Sequence, residues 1–305
     1  MTRSVLVLMG GWSVEREVSL VSGAAVAEAL GEAGYRVRTL DVTRDLNALL
    51  GALKPPPDVV FNALHGRFGE DGRIQGILDI LRIPYTHSGV LASALAMNKP
   101  MAKRLFEADG IPCPEGKVVT RAAIAAGVMD MPFVLKPINE GSSVGVRIVH
   151  RGDNLPPLDP KDWPYSDEVL VERYIPGREL TVAVMGERAL GVTELRTSAG
   201  FYDYDAKYKE GRTTHLVPAP LPKPAYDEAM DLAVRAHRSL GCRGVSRADL
   251  RFDDTAGQPG RLYMLEVNTQ PGMTPLSLVP EQAAHAGISF PELCRWMVEN
   301  AECEA

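Results

Sequence analysis

Arg247-Ala248-Asp249, followed by Leu265-Glu266-Val267-Asn268-Thr269-Gln270-Pro271-Gly272-Met273, is the stretch on which the reading of this chain turns. The runs Ala248–Phe252 and Arg261–Val267 flank a turn-rich connector, Asp253–Gly260, and predict an antiparallel hairpin. Successive strand side chains alternate faces, so Glu266 and Asn268 are expected to project together, with Leu265 and Val267 on the other face. Asp249 lies on the partner strand and joins them if the register permits. Two carboxylates and an amide oxygen, with no Cys or His alongside, form a hard oxygen set that suits Mg²⁺ shared with phosphates. A solvated hairpin that merely carries acids is the plainer alternative. The interleaved apolar residues commit both faces and argue against it.

The 305 residues, 45% of them hydrophobic, suffice for a large core and for two or three domains. A net charge of −6 with no basic block argues against a nucleic-acid or anionic-membrane partner. Cys113, Cys242, Cys294 and Cys303 are far apart without a C-x-x-C, as expected of thiols in a reducing compartment. The histidines show no H-x-x-x-H pairing, which makes zinc an unfavoured ion. Val5–Met9 is shorter than a signal-peptide core, and no run reaches transmembrane length, so a soluble, cytoplasmic protein is expected.

Val5–Met9, Tyr35–Leu40 and Val59–Leu64 read as buried strands, alternating with helices over Ser19–Ala33, Asp45–Leu53 and Gly72–Leu81. That pattern predicts a small doubly wound α/β domain, 1–94. One helix is expected from Leu91 to Asp109. Strands at Lys117–Val119, Phe133–Lys136, Val144–Val149 and Val169–Arg173 then form a central α+β unit, 95–177. A C-terminal α+β unit, 178–305, carries helices at Pro224–Leu240 and Phe290–Ala301. Inside it, Thr197–Pro218 is long, aromatic and basic, the character of a functional lid, with a sticky interface patch as the alternative.

Lys136-Pro-Ile-Asn-Glu140-Gly141-Ser142-Ser143-Val144-Gly145 puts a lysine at a strand end before a loop of small residues. Such a loop lets backbone N–H groups approach phosphate oxygens, and a hairpin turn needing only positive φ is an equal alternative. Val169-Leu-Val-Glu172 through Gly177-Arg-Glu179 is an apolar strand ending in acids and a Pro-Gly bend, a slot for a base and sugar or else a charged surface turn. Gly10-Gly11-Trp-Ser13-Val-Glu15 and His65-Gly66-Arg-Phe-Gly69-Glu70-Asp71-Gly72 follow strands at one sheet edge, where open α/β sheets place ligands. The absence of G-x-G-x-x-G argues against a dinucleotide enzyme.

Together these motifs resemble the ATP-grasp fold, and within it the D-alanine–D-alanine ligase family. The match rests on the His65 motif, Lys136-Pro-x-x-Glu-Gly-Ser-Ser-Val-Gly, Tyr202-Asp-Tyr-x-Ala-Lys-Tyr and Glu266-x-Asn-x-x-Pro-Gly-Met-Thr, in order along the whole chain. The resemblance implies that ATP converts one D-alanine carboxyl to an acyl phosphate, which a second D-alanine amine attacks. It implies that Glu15 holds the first ammonium, linked through Ser142 to Tyr208 of the lid, with His65 nearby. Lys99, Lys136, Glu172, Glu179 and Lys207 would bind ATP between Phe201 and Leu265. Asp249, Glu266 and Asn268 would hold two Mg²⁺ (or Mn²⁺) ions. Arg247 and Gly272 would stabilise the oxyanion, and Ser277 with the Leu278 amide would take the second carboxylate. A homodimer is a further implication. The family usually carries Asp before the first ATP lysine, where this chain has Asn98. A ligase using D-lactate and a non-catalytic nucleotide-binding module are the competing readings; Tyr208 and the complete ligand set speak against each in turn.

Overall fold

The computed structural model describes residues 2–154, 158–159, 161, 163–197, 213–255, 257 and 259–304. Strands β1 (Ser4–Gly10), β2 (Arg36–Val42) and β3 (Val59–Asn62) form a parallel sheet of order β2-β1-β3. Helix α1 (Arg16–Glu32) covers one face, where Val26 and Leu30 pack on Val5 and Val7. Helices α2 (Leu46–Ala52) and α3 (Arg73–Ile80) cover the other, with Leu49 and Leu78 against Leu6 and Leu8. Burial on both faces explains the unbroken apolar run of β1.

The helix expected over Leu91–Asp109 is two helices, α4 (Val90–Met97) and α5 (Lys99–Ala108). Between them Asn98 is extended, at φ −90° and ψ 90°, and its side chain accepts from the Met101 N–H at 3.2 Å. Pro100, in the first turn of α5, has no N–H to continue the α4 ladder, so the chain stops and restarts at a new cap.

Strands β4 (Gly116–Thr120), β5 (Phe133–Pro137), β6 (Arg147–Val149) and β7 (Glu168–Arg173) form an antiparallel sheet of order β4-β7-β5-β6, with the short helix α6 (Arg121–Ile124) alongside. β6 begins later than expected. Residues 138–146 stay a loop because Ser142, Ser143 and Gly145 take positive φ (49°, 59° and 75°), which a strand cannot accommodate.

The third sheet, all antiparallel, has the order β10-β9-β8-β11-β12, from β8 (Arg178–Met185), β9 (Arg188–Thr197), β10 (Thr213–Leu216), β11 (Val245–Asp253) and β12 (Arg261–Asn268). Helix α7 (Lys223–Ser239) packs Ala229, Leu232 and Ala236 on Leu180, Val182 and Leu250. Helix α8 (Leu278–His285) covers the opposite face at Ala183 and Val245. The chain then returns to its start: α9 (Phe290–Glu299) buries Leu293 and Met297 with Val5 and Val7, and Glu302 bridges Tyr85 beside β3. No described helix is long and apolar enough to cross a membrane.

β11 and β12 form the expected hairpin, with Asp249 directly opposite Glu266 and Arg247 opposite Asn268. The register then slips, because Leu250 pairs with Met264 and leaves Leu265 without an opposite residue. This β-bulge corrects the simple alternation: Leu265 and Glu266 both face the same pocket instead of opposite sides.

Candidate active site

Two pockets adjoin each other. One, about 890 Å³, lies between the middle sheet and the β11–β12 hairpin, and Lys136, Glu172, Glu179, Asp249 and Leu265 line it. The other, about 600 Å³, is lined by Glu15, His65, Ser142, Arg247, Asn268 and Gly272. Lys99, Glu140 and Glu266 line both, so the two spaces join there.

In the first pocket, strand alternation on β5 and β7 sets Lys136 against Glu172. Lys136 Nζ stands 2.5 Å from one Glu172 carboxylate oxygen, and Lys103 Nζ stands 2.9 Å from the other. Burial raises the Glu172 pKa, but the charges of Lys136 and Lys103 outweigh it and the net shift is downward. Burial likewise lowers that of Lys136, and the charge of Glu172 reverses it to a net rise. Both groups are therefore held ionised. Lys103 escaped the sequence reading, although its spacing of four from Lys99 places both lysines on one face of α5. Glu179 is 3.3 Å from Arg251.

Where the pockets join, Glu266 Oε2 is 3.3 Å from Lys99 Nζ. Asp249 receives the Arg247 guanidinium through two bonds of 2.8 and 2.7 Å, and the Thr181 hydroxyl at 2.7 Å. Asn268 Oδ1 accepts from the Gln270 N–H at 2.7 Å. Two acids directly opposite across a ladder repel each other, and Lys99 with Arg247 offsets that repulsion in this state. The donor set, two carboxylates and an amide oxygen on adjoining strands, fits a hard divalent cation. Among the described residues, no group of three or more His, Cys, Asp and Glu offers an alternative metal centre.

The second pocket has the β11–β12 hairpin and the start of α5 on one side and loops on the other. Glu15, 5% exposed, follows β1, and its carboxylate accepts from the Ser142 hydroxyl, which reaches it from the β5–β6 loop. His65, after β3, sits with Nδ1 3.1 Å from Glu70 and Nε2 3.3 Å from the Ser22 hydroxyl. Burial lowers its pKa, but the hydrogen bond and charge of Glu70, with Glu15, produce a net rise. Gly272 lies against Ser277: a Cβ there would stand 2.8 Å from Ser277 Oγ. Ser277 holds the N-cap position of α8 and accepts from the Thr274 N–H at 2.9 Å; neither it nor the buried Leu278 lines either pocket. Phe201, Lys207 and Tyr208 lie outside the described residues.

Comparison with known proteins gives this arrangement a family. Residues 105–299 match the family model described as D-ala D-ala ligase C-terminus, and residues 47–88 the one described as D-ala D-ala ligase N-terminus. The D-alanine--D-alanine ligase of Rhodospirillum rubrum is 61% identical over 307 residues, spanning all of both chains. The crystal structure of D-alanine--D-alanine ligase from Bacillus anthracis complexed with ATP superposes with a TM-score of 0.81 at 31% identity, covering 98% of this chain and 97% of that one. The VanG D-Ala:D-Ser ligase from Enterococcus faecalis gives a TM-score of 0.82 at 28% identity, covering 98% and 99%. With the C-terminal model matched over 105–299 and full-length identity of this order, the chain belongs to the D-alanine–D-alanine ligase family and has its ATP-grasp fold.

Proposed function

We propose that the protein joins two D-alanine molecules into D-alanyl-D-alanine at the expense of ATP, for peptidoglycan precursor synthesis. The observation that carries this reading is the junction of the two pockets at Lys99 and Glu266, which opens a charge-lined slot directly onto a chamber walled by Glu15, Arg247 and Gly272. ATP lies in the first pocket, against Leu265, with Glu172 and Glu179 toward base and ribose and with Lys136 and Lys99 on the phosphates. Glu15 takes the ammonium of the first D-alanine, supported by Ser142 and His65, so that its carboxylate points to the junction. The carboxylate oxygen attacks the γ-phosphorus and ADP leaves. The second D-alanine attacks the carbonyl carbon of the acyl phosphate as its free amine, Arg247 with the Gly272 N–H receives the oxyanion of the tetrahedral intermediate, and its collapse expels phosphate, which leaves with the proton that the nitrogen gives up. Asp249, Glu266 and Asn268 would hold two Mg²⁺ or Mn²⁺ ions, which supply charge neutralisation to the phosphates.

Ser277 and the Leu278 N–H take the second carboxylate. Phe201, Lys207 and Tyr208 belong to a lid, 197–218, that keeps water from the acyl phosphate. The division into 1–94, 95–177 and 178–305, a homodimer and a cytoplasmic location complete the reading. Identity of 61% over full length to a D-alanine--D-alanine ligase favours D-alanine as second substrate. The test is phosphate release with Mg·ATP and D-alanine, L-alanine or D-alanine plus D-lactate, with product identification. Release that requires D-alanine and a divalent metal and yields the dipeptide is expected; equal turnover with L-alanine, or full activity in excess chelator, overturns the proposal.

A further inference from the structure

Lys103 is a buried lysine with no role in the reaction above. It is 8% exposed, yet its ammonium donates to the Pro114 carbonyl and lies 2.9 Å from Glu172. It does not line either pocket, whereas its partner Glu172 and the neighbouring Pro114 do. The fold makes room for it: a Cβ on Gly116 would fall 2.9 Å from both Lys103 Nζ and Glu172 Cγ. Burial of a lysine at such a place costs stability unless a counterion compensates, and the only acid touching it among the described residues is Glu172.

The charges around Glu172 explain what Lys103 does. A phosphate-binding lysine in contact with a carboxylate 2.5 Å away is electrostatically cancelled, since the pair is neutral when seen from a bound phosphate. With Lys103 on the other carboxylate oxygen, the cluster holds two ammonium charges and one carboxylate. One net positive charge remains, and Lys136 is the member that faces the nucleotide pocket with Glu172. We infer that Lys103 is a positioning residue that supplies the countercharge of Glu172 from behind the pocket wall, so that the charge of Lys136 is left to the nucleotide phosphates. The inference rests on the nucleotide reading of that pocket and deepens it. One helix face then serves the site twice, because Lys99 and Lys103 stand four residues apart on α5 and meet Glu266 and Glu172.

The test uses the full chain and calorimetric titration with adenosine, ADP and Mg·ATP. The readout is the ratio of ATP to adenosine affinity, which isolates the phosphates from the base. Lys103→Met leaves the cluster neutral and should lower that ratio about tenfold, raising the KM for ATP more than it changes kcat. Glu172→Gln leaves two positive charges and should raise the ratio, even though the base contact is weakened. The double variant Lys103→Met/Glu172→Gln returns the cluster to one positive charge, and its ratio should return to within about threefold of the parent. If Lys103→Met does not fold, as its melting and near-ultraviolet circular dichroism will tell, Glu172→Gln and the double variant still decide the matter, because each removes the uncompensated acid. A ratio unchanged by Lys103→Met, or equal in Glu172→Gln and the double variant, overturns the inference while the nucleotide reading stands. A parent protein that binds none of the three ligands sinks the nucleotide reading itself.

Discussion

The two pockets that meet at Lys99 and Glu266 share the β11–β12 hairpin and differ in their other walls. The larger is walled by strands of two antiparallel sheets, and each of its strand acids faces a basic side chain: Glu172 with Lys136 at 2.5 Å, Glu179 with Arg251 at 3.3 Å, Asp249 with Arg247 at 2.7 Å, Glu266 with Lys99 at 3.3 Å. The smaller shares the β11–β12 hairpin, through Arg247, Glu266 and Asn268, and is completed by loops that follow parallel strands β1 and β3 and by the loop after β5, joined through hydrogen bonds such as Ser142 to Glu15. The lesson is one of division of labour. On the proposed reading, charge is fixed on rigid strands where phosphates would be neutralised, and the loops carrying Glu15 and Ser142 would grip a small zwitterion. Loss of one charge should therefore cost far more on the strand side than loss of one hydrogen bond on the loop side.

Glu266→Gln is the largest expected break. Turnover should fall roughly a hundredfold or more, as removal of a charge at a transferring phosphoryl group does. Folding should change little, because the substitution also removes the repulsion with Asp249 across the ladder, which offsets the lost contact to Lys99. Phosphate release and calorimetric melting measure both. A collapse of the melting temperature with undiminished specific activity in the folded fraction would make Glu266 structural.

On the loop side, Ser142→Ala removes the hydroxyl that Glu15 accepts. The kcat/KM for D-alanine should fall about tenfold, the value of one hydrogen bond to a charged group, while the KM for ATP moves less than about twofold. Equal effects on both substrates would show that the pockets respond as one unit, and the contrast between them would fail.

The same contrast sets what was legible in the sequence. The β11–β12 hairpin and its acids were readable because strand alternation has a period of two and the connector is rich in turn residues. The bulge at Leu265 was not, since an inserted residue leaves no mark in a period-two pattern and shows only in the pairing of two strands. The break at Asn98 was overlooked in a long apolar periodicity, although Asn-Lys-Pro is a cap followed by a first-turn proline. Lys103 was missed for a different reason: its partner lies 69 residues away, on β7. The return of α9 to the first sheet likewise depends on packing between distant segments. Of the lid residues expected at the site, Phe201, Lys207 and Tyr208 are outside the described structure.

Two buried histidines sharpen the comparison through pH. His65, in the smaller pocket, has its pKa raised by Glu70 and Glu15 against the opposing effect of burial, so its contribution is complete below about 6.5 and is lost as pH rises through the higher folded value. His87, 3% exposed and outside both pockets, is pushed down to about 3 by burial, with the charges of His65 and Arg243 adding to it and the Val245 carbonyl opposing. The unfolded chain takes up a proton at His87 near pH 6.5 and the folded one does not, so stability falls as pH drops from about 6.5 toward 3, by at most about 1.4 kcal/mol per unit. His87→Asn suits the position, whose φ is 70°, but loses the edge contact with Phe61. The variant should be the less stable protein at pH 8, with the gap narrowing at pH 5. Urea unfolding at the two values checks this, and a constant gap would remove His87 as the source of acid sensitivity.

The smallest expected effect lies at Asn98, which starts the helix that serves both pockets through Lys99. Its side chain accepts from the Met101 N–H, and aspartate accepts equally well and adds a favourable charge at the helix N-terminus. Asn98→Asp should therefore shift stability by less than about 0.5 kcal/mol and leave the KM for ATP within about twofold. Asn98→Ala should cost about 1 kcal/mol and loosen the first turn of α5, where Lys99 sits, so that the KM for ATP rises severalfold. The two substitutions separate capping from chemistry. If aspartate disturbs ATP use as strongly as alanine does, the Asn98 amide serves the nucleotide site through its nitrogen as well as the helix through its oxygen. If neither changes ATP use, α5 is held by its packing against the core alone, and Lys99 owes its position to Glu266 and the Glu140 carbonyl rather than to the cap.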